Sequence, residues 1–290
     1  MPRVAIFVDE PDWHTRRLAG AFEALGASAR VASLGACAFI LGGDGPGVAI
    51  PGFADALPDA ALVRSVAKGS FEQVTLRLGI LHALAALGVP VVNDARAIER
   101  CVDKSMTSFL LHRSGIPTPG TFAGEDEAQA SAWRRRAPGE HVAKPLFGSQ
   151  GRGLLRLRAS DPLPPAETYA GVRYLQRFLG RDSDWCDFRV MVIGGEPVAA
   201  MLRHGRSWVT NVHRGARCEK VAATGRVAEL AVAAADAVGA AYAGVDLIED
   251  AAGALFVLEV NSMPAWKGLQ SVSSCDLARL LAQHVLDRIS

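Results

Sequence analysis

Asp246, Glu259 and Asn261 place three hard oxygen donors within a short, otherwise apolar stretch, and holding a magnesium ion is chemistry such a trio can do. Residues 245–249 and 255–260 have the apolar, β-branched character of strands, and Asp250-Ala251-Ala252-Gly253 between them is turn-forming. A four-residue hairpin sets Asp246 opposite Val257. Side chains alternate along a strand, so Val257, Glu259 and Asn261 then share one face with Asp246. Magnesium needs only one or two carboxylates and completes its octahedron with water and substrate phosphates. The competing reading is an exposed strand pair bearing ordinary charges. Against it stand the apolar residues between the acids, because carboxylates buried without a counter-charge are costly.

A second candidate is Lys144-Pro145-Leu146-Phe147-Gly148-Ser149-Gln150-Gly151-Arg152-Gly153, which starts at a strand end. Without Cβ atoms, Gly148, Gly151 and Gly153 would let backbone N–H groups approach phosphate oxygens, and Lys144 would add a point charge. The run is neither a Walker A loop nor a dinucleotide fingerprint, and in isolation a tight hairpin turn is the more common explanation of it. Lys104, after Asp103 in a helical stretch, reads alone as a surface lysine. Arg64-Ser65-Val66-Ala67-Lys68-Gly69-Ser70 follows a strand and opens a helix, whose positive end draws carboxylates; Arg64 and Lys68 would add charge. A capped helix with surface cations accounts for the same residues.

The elements that must position these groups alternate over the first ~95 residues: strands at 3–8, 29–34, 61–65 and 89–93, helices at 15–25 and 71–87. This order predicts a small doubly wound domain with a parallel sheet. Beyond it the sequence predicts one helix over 94–114, strands at 141–144 and 153–158, and a proline-rich loop at 161–165. Strands at 188–193 and 197–204 follow, joined at Gly194-Gly195, and then helices at 226–239 and 275–289. The fold class is α/β, turning to α+β in the C-terminal half, with divisions expected at 1–94, 95–175 and 176–290.

Half of the 290 residues are apolar and 21% are charged, which supports a large core and argues against disorder. A formal net charge of +1 argues against nucleic-acid binding. Arg134, Arg135 and Arg136 fit a solvated helix face. Cys37, Cys101, Cys186, Cys218 and Cys275 lie too far apart for a zinc site or a disulfide framework, so reduced thiols are expected. The apolar stretch at 230–245 is broken by Asp236, and Val4-Ala5-Ile6-Phe7-Val8 follows the N-terminus with no apolar leader. A cytoplasmic protein without membrane contact is expected.

Read in order, further segments fit a pattern: Asp103-Lys104-Ser105, Ile116-Pro117-Thr118-Pro119, the 144–153 loop, Gln176-Arg177-Phe178 and Cys186-Asp187-Phe188-Arg189-Val190. Val198-Ala199-Ala200-Met201, Asn211-Val212-His213-Arg214-Gly215, Ala243-Gly244-Val245-Asp246 and Leu258-Glu259-Val260-Asn261-Ser262-Met263-Pro264 complete it. The ordered set resembles the ATP-grasp superfamily and, within it, the RimK-like glutamate ligases, strongly over about 95–290 and loosely before. The resemblance implies an ATP-grasp fold with an N-terminal Rossmann-like domain. It also implies ATP-dependent ligation of a carboxylate to an amine through an acyl phosphate.

The resemblance further implies roles. Lys104 and Lys144 would bind the nucleotide, and Gly148, Ser149, Gln150, Gly151 and Gly153 would form a lid over its phosphates. Gln176, Arg177 and Phe178 would line the adenine, with Asp187 near the ribose. Asp246, Glu259 and Asn261 would hold Mg2+ or Mn2+, with Asn211 nearby. Arg203, with Lys144, would serve catalysis by stabilising developing charge, and His213 and Arg214 would join Arg64, Lys68 and Ser70 at the substrates. Arg177 departs from the family by replacing an acid at the hinge, and Val209-Thr210-Asn211 departs by lacking a cation that Arg206 or Arg214 could replace.

The segments at 64–70, 81–84 and 91–99 resemble the members that add α-linked glutamate to tetrahydromethanopterin and related coenzymes. The expected partners are a small-molecule carboxylate and L-glutamate or another amine, and a homo-oligomer is compatible. The alternatives are a ribosomal-protein glutamate ligase, a tyramine–glutamate ligase and a catalytically silent ATP-binding module.

Overall fold

The computed structural model describes residues 1–43, 45–54, 56–148, 151–180 and 185–289, the side chain of Arg214 excepted. The chain opens with β1 (Arg3–Phe7), α1 (Trp13–Ala24), β2 (Ser28–Ala32), a small ribbon of β3 (Ala38–Phe39) and β4 (Val48–Ala49), β5 (Ala60–Val63), α2 (Phe71–Ala86) and β6 (Val91–Val92). β1, β2, β5 and β6 form a parallel sheet in the order β2-β1-β5-β6. Val4 to Phe7 and Ala60 to Val63 are fully buried, as central strands covered on both faces must be.

The single helix expected over 94–114 is two helices, α3 (Ala95–Val102) and α4 (Lys104–Arg113). Asp103 breaks them: its backbone is extended, and its carboxylate accepts hydrogen bonds from Ser105 N at 2.8 Å and Met106 N at 3.1 Å. A side-chain acceptor at an N-cap satisfies amides that a continuous helix would otherwise bond to its own carbonyls. The consequence is that Lys104 opens a helix rather than lying inside one.

Next come β7 (Thr121–Gly124), α5 (Glu127–Arg136), β8 (His141–Lys144), β9 (Leu155–Leu157) and β10 (Arg173–Arg177), whose strands make an antiparallel sheet in the order β7-β10-β8-β9. The remainder is β11 (Cys186–Ile193), β12 (Glu196–His204), β13 (Arg217–Val221), α6 (Gly225–Val238), β14 (Tyr242–Glu249), β15 (Leu255–Asn261), α7 (Lys267–Val272) and α8 (Leu277–Leu286). Its strands form an antiparallel sheet in the order β13-β12-β11-β14-β15. One face of that sheet packs on α6, through Val190, Val192, Val245, Leu247, Val257 and Val260. The other face packs through Met191, Met201, Tyr242 and Trp266 on α1 and α8, in a core shared with the parallel sheet.

A bulge changes the expected hairpin. Asp246 stands opposite Glu259, and the register then shifts so that Leu247 pairs with Val257. Leu258 is the extra residue. A bulge interrupts the two-residue alternation, so Val257 and Val260 both face the core although they lie three apart. Val257 therefore does not share a face with Asp246, and Glu259 is its direct cross-strand partner.

Candidate active site

The polar site is built on the face of the five-stranded sheet that alternation leaves to Asp187 and Arg189 on β11, Arg203 on β12, Asp246 on β14, and Glu259 and Asn261 on β15. Register makes these residues neighbours: Asp187 opposes Arg203, Arg189 opposes Asp246, and Gly244 opposes Asn261. Arg189 grips Asp246 with Nε and Nη2 at 2.5 and 2.6 Å. Arg203 grips Asp187 at 2.7 and 2.5 Å and reaches Asp246 Oδ1 at 3.1 Å. Two-pronged guanidinium–carboxylate pairs are the strongest side-chain hydrogen bonds, and here they are nearly dry. Burial alone would raise both carboxyls. Arg189 and Arg203 together outweigh it at Asp246, which is held below the usual carboxylate range, whereas burial prevails at Asp187, which stays above it. The Arg203 guanidinium is held charged by Asp246 and Asp187 against its own burial.

Facing this network are two lysines. Lys144 ends β8 and donates to Gln176 Oε1 at 2.6 Å, and Gln176 Nε2 in turn donates to Tyr174 Oη at 3.3 Å. Desolvation pushes Lys144 down to about 8; the charges of Glu259 and Asp246 oppose this, and Lys104 reinforces it. Lys104 is likewise lowered by desolvation, with Glu259 and Asp103 opposing, and its ammonium donates to Leu146 O at 3.3 Å and Gly148 O at 2.9 Å. The helix start at Asp103 thus ties α4 to the glycine loop. At Gly151 the backbone is left-handed, φ +65°, and an added Cβ would stand 2.7 Å from Val209 Cγ1. Glycine there lets the loop lie against the 205–211 segment.

Lys104, Lys144, Arg189 and Arg203 meet Asp187, Asp246 and Glu259 in this cluster, with Asp103 beside Lys104, and the two lysines are the cations not gripped by a carboxylate, free to hold a polyanion. The cation donor set fits magnesium. Glu259 and the Asn261 carbonyl oxygen have no hydrogen-bond partner among the described residues, while Asn261 Nδ2 donates across the hairpin to Gly244 O at 3.3 Å. Two carboxylates and one amide oxygen, with room left for water and phosphate, are what magnesium takes.

Other expected residues fall differently. Asp187 is buried against Arg203. Asn211 caps the turn that follows, its Oδ1 accepting from His213 N at 2.8 Å, and His213 is exposed. Arg177 N and Phe178 N donate to Gly120 O and Glu140 O at 2.8 and 2.9 Å, so these two hinge amides are already used. Phe178 lies under the Arg156 guanidinium, 4.0 Å from its centroid, with Trp185 and Trp208 edge-on. Ser70 caps α2 by accepting from Gln73 N at 3.3 Å, Lys68 is exposed beside it, and Arg64 is buried apart from them. Ser149, Gln150 and the Arg214 side chain lie outside the described residues.

Arg189 is a member of this cluster that motif reading quoted without using. It lies two residues beyond Asp187, and that spacing alone puts the two on one face.

The RimK-like ATP-grasp domain model matches residues 101–285. Tetrahydromethanopterin:alpha-L-glutamate ligase of Methanococcus maripaludis is 36% identical over 234 residues, covering 78% of each chain. A probable alpha-L-glutamate ligase of Aliivibrio salmonicida is 31% identical over 280 residues, 94% of this chain and 91% of that one. Among solved structures, the ATP-grasp ligase PsnB complexed with minimal precursor, Mg and ADP superposes with a TM-score of 0.77 over 99% of this chain and 97% of that one; at 22% identity the likeness concerns the fold.

Proposed function

Because the chain belongs to the RimK-like ATP-grasp family and is an ATP-dependent, amide-forming ligase, we propose that it joins L-glutamate to a carboxylate of a pterin-type coenzyme such as tetrahydromethanopterin. The observation that carries the assignment of the site is the cross-strand pairing of Asp246 with Glu259, opposite Lys144 and Lys104. The 36% identity to a ligase of that name supports the choice of substrates.

ATP and Mg2+, with Mn2+ as a substitute, are the expected partners. When bound, magnesium offsets charge on the terminal phosphates. Lys144 and Lys104 would hold those phosphates, with Gly148, Gly151 and Gly153 closing over them, so that water is kept from the acyl phosphate. The segment from Gln176 to Phe178 would receive the adenine; with the Arg177 and Phe178 amides taken, that contact falls to its other groups. Asp246, Glu259 and Asn261 would hold the metal. Arg203, fixed by Asp187 rather than free to swing, would stabilise the oxyanion that develops when the amine attacks, and Arg189 stands ready to do the same. Placing amine and acyl phosphate in contact supplies most of the acceleration, with effective molarities on the order of 10⁵ M. No helix of the described residues is long and apolar enough to cross a membrane, and a cytoplasmic site of action is part of the same reading.

The test is a screen for ADP release across acid and amine pairs, with mass spectrometry of products. Glutamate-dependent ADP release with a pterin carboxylate is expected. Turnover only with a protein tail would move the assignment to a protein-modifying ligase, and turnover with no pair would leave an ATP-binding module.

A further inference from the structure

Arg64 stands at the carboxyl end of β5, next to the end of β1. The connection leaving β1 runs to β2 on one side and the connection leaving β5 runs through α2 to β6 on the other, and in open parallel sheets ligands bind outside such a point. The residue is only 8% exposed and, among the described residues, forms no ion pair. Its guanidinium donates one long hydrogen bond, 3.4 Å, to Tyr242 Oη, which itself donates to Val63 O at 2.6 Å. Arg64 Nε is buried without an acceptor. Arg64 Cζ lies 4.4 Å from the ring centroid of Trp266, and Trp266, 1% exposed, also holds its Nε1–H without an acceptor.

The surrounding charges do not resolve this. His14 accepts from Trp266 N at 3.1 Å and Lys267 N at 3.2 Å through Nε2, which leaves Nδ1–H to donate to Asp12 Oδ2 at 2.7 Å. Asp12 is otherwise occupied with Thr15, and Asp9 with Ser33 and Ser65. The carboxylates at hand are therefore spent, and the remaining neighbour, Lys267, is a cation. A desolvated guanidinium with its own Nε–H orphaned, beside an orphaned indole N–H, is an expensive arrangement for a protein to keep without a ligand. The ligand that satisfies it is an anion with two adjacent acceptors, which a carboxylate supplies.

We propose that Arg64 and Trp266 form a recognition site for a carboxylate of one of the two organic substrates that does not itself react. Tyr242, at the floor of this site, lies four residues before Asp246 on the same face of β14, or about 13 Å along the strand. That separation is too long for the carboxylate undergoing phosphorylation and suits the opposite end of the same small molecule. The inference rests on the ligase reading above. It also moves anion recognition away from the start of α2, where the Ser70 hydroxyl and the Gln73 side chain already cap each other's amides.

The test titrates the full chain with L-glutamate, L-glutamine and glutarate by calorimetry, with magnesium-ADP present, in wild type, R64Q and W266F. W266F keeps a six-membered ring under the guanidinium, removes the indole donor and shortens the buried side chain. The expected result is at least a tenfold loss of dicarboxylate affinity in R64Q, a smaller loss in W266F, unchanged ADP affinity, and a melting temperature in R64Q equal to or above wild type, since an unpaired cation has gone. A loss confined to L-glutamate assigns the site to the amine, with L-glutamine showing which carboxylate is read; a loss confined to glutarate assigns it to the acid. Arg64-dependent glutarate binding in a protein that never ligates glutamate keeps this site and removes the proposed amine. Dicarboxylate affinities that are absent in wild type, or unchanged in both variants, overturn it. If R64Q fails to fold, W266F decides alone.

Discussion

Lys144 shows what desolvation does to a lysine proposed to hold phosphate. Its ammonium is pushed down to about 8, chiefly by burial. In the free protein at pH 8 a large share of it is therefore neutral, and the charged form is lost as pH rises further. Phosphate favours the charged form, so nucleotide binding near pH 8 to 9 should take up a proton. Calorimetry in buffers of different ionisation enthalpy should detect that uptake, find it vanishing near pH 6, and find it absent in K144M. The two acids differ in another way. Glu259 has no hydrogen-bond partner among the described residues and acts on Lys144 and Lys104 only through its charge, so E259Q should abolish ADP formation and change the melting temperature less than D246N does. Asp246 neutralises Arg189 and touches Arg203, so D246N should abolish activity and also cost about 3 kcal/mol in urea unfolding, because it strands a buried guanidinium.

Among the elements, the hairpin of β14 and β15 does most to shape the site. Its bulge at Leu258 lets Val257 and Val260 both enter the core while Glu259 faces Asp246. A one-residue slip in a strand exchanges its two faces. Deleting Leu258 should remove only that extra residue and keep Glu259 opposite Asp246, so magnesium-supported ADP release should survive it, whereas deleting Val260 should turn Asn261 toward the core and abolish that release. On the same face Gly244 leaves space for the segment that leads to Trp266: an added Cβ would stand 2.7 Å from Pro264 Cβ. Since backbone-linked proline cannot yield as a flexible side chain would, G244A should destabilise by about 1–3 kcal/mol, measured by denaturant midpoint.

At the scale of the molecule, one buried amide joins the first sheet to the last. Asn93, fully buried at the end of β6, donates to Tyr242 O at 2.8 Å and Ser262 O at 2.6 Å and accepts from Tyr242 N at 3.1 Å. Those partners flank the proposed metal ligands on β14 and β15 and hold Tyr242 beneath Arg64. N93A leaves three backbone groups without partners in a closed interior, each costing about 1–3 kcal/mol. A single unfolding transition at clearly lower denaturant concentration is the expected outcome, and weaker glutamate binding should accompany it in the folded protein. α8, wedged between the parallel sheet and the five-stranded sheet through Leu277, Leu281 and Val285, makes the two halves share one core.

Local physics carries far in this sequence. Apolar periodicity marks the parallel strands and the long helices α2 and α6, and the Lys144 strand is read to its residue limits, since those signals depend on neighbours in the chain. Asp246, Glu259 and Asn261 are recognisable because acids within apolar strands violate burial preferences wherever they occur, and Gly148, Gly151 and Gly153 because only a special backbone path accounts for their density. What the chain order leaves open is decided by contacts between distant segments. A bulge depends on how two strands pack on α6, so Val257 reads as Asp246's partner until the core is formed. The helix break at Asp103 turns on a competition of hydrogen bonds that a continuous helical pattern conceals. The grip of Arg189 on Asp246 exists only once the five-stranded sheet has formed, and the meeting of Arg64 with Trp266 across some two hundred residues only once the parallel sheet has packed against it, because nothing local in either partner specifies the other.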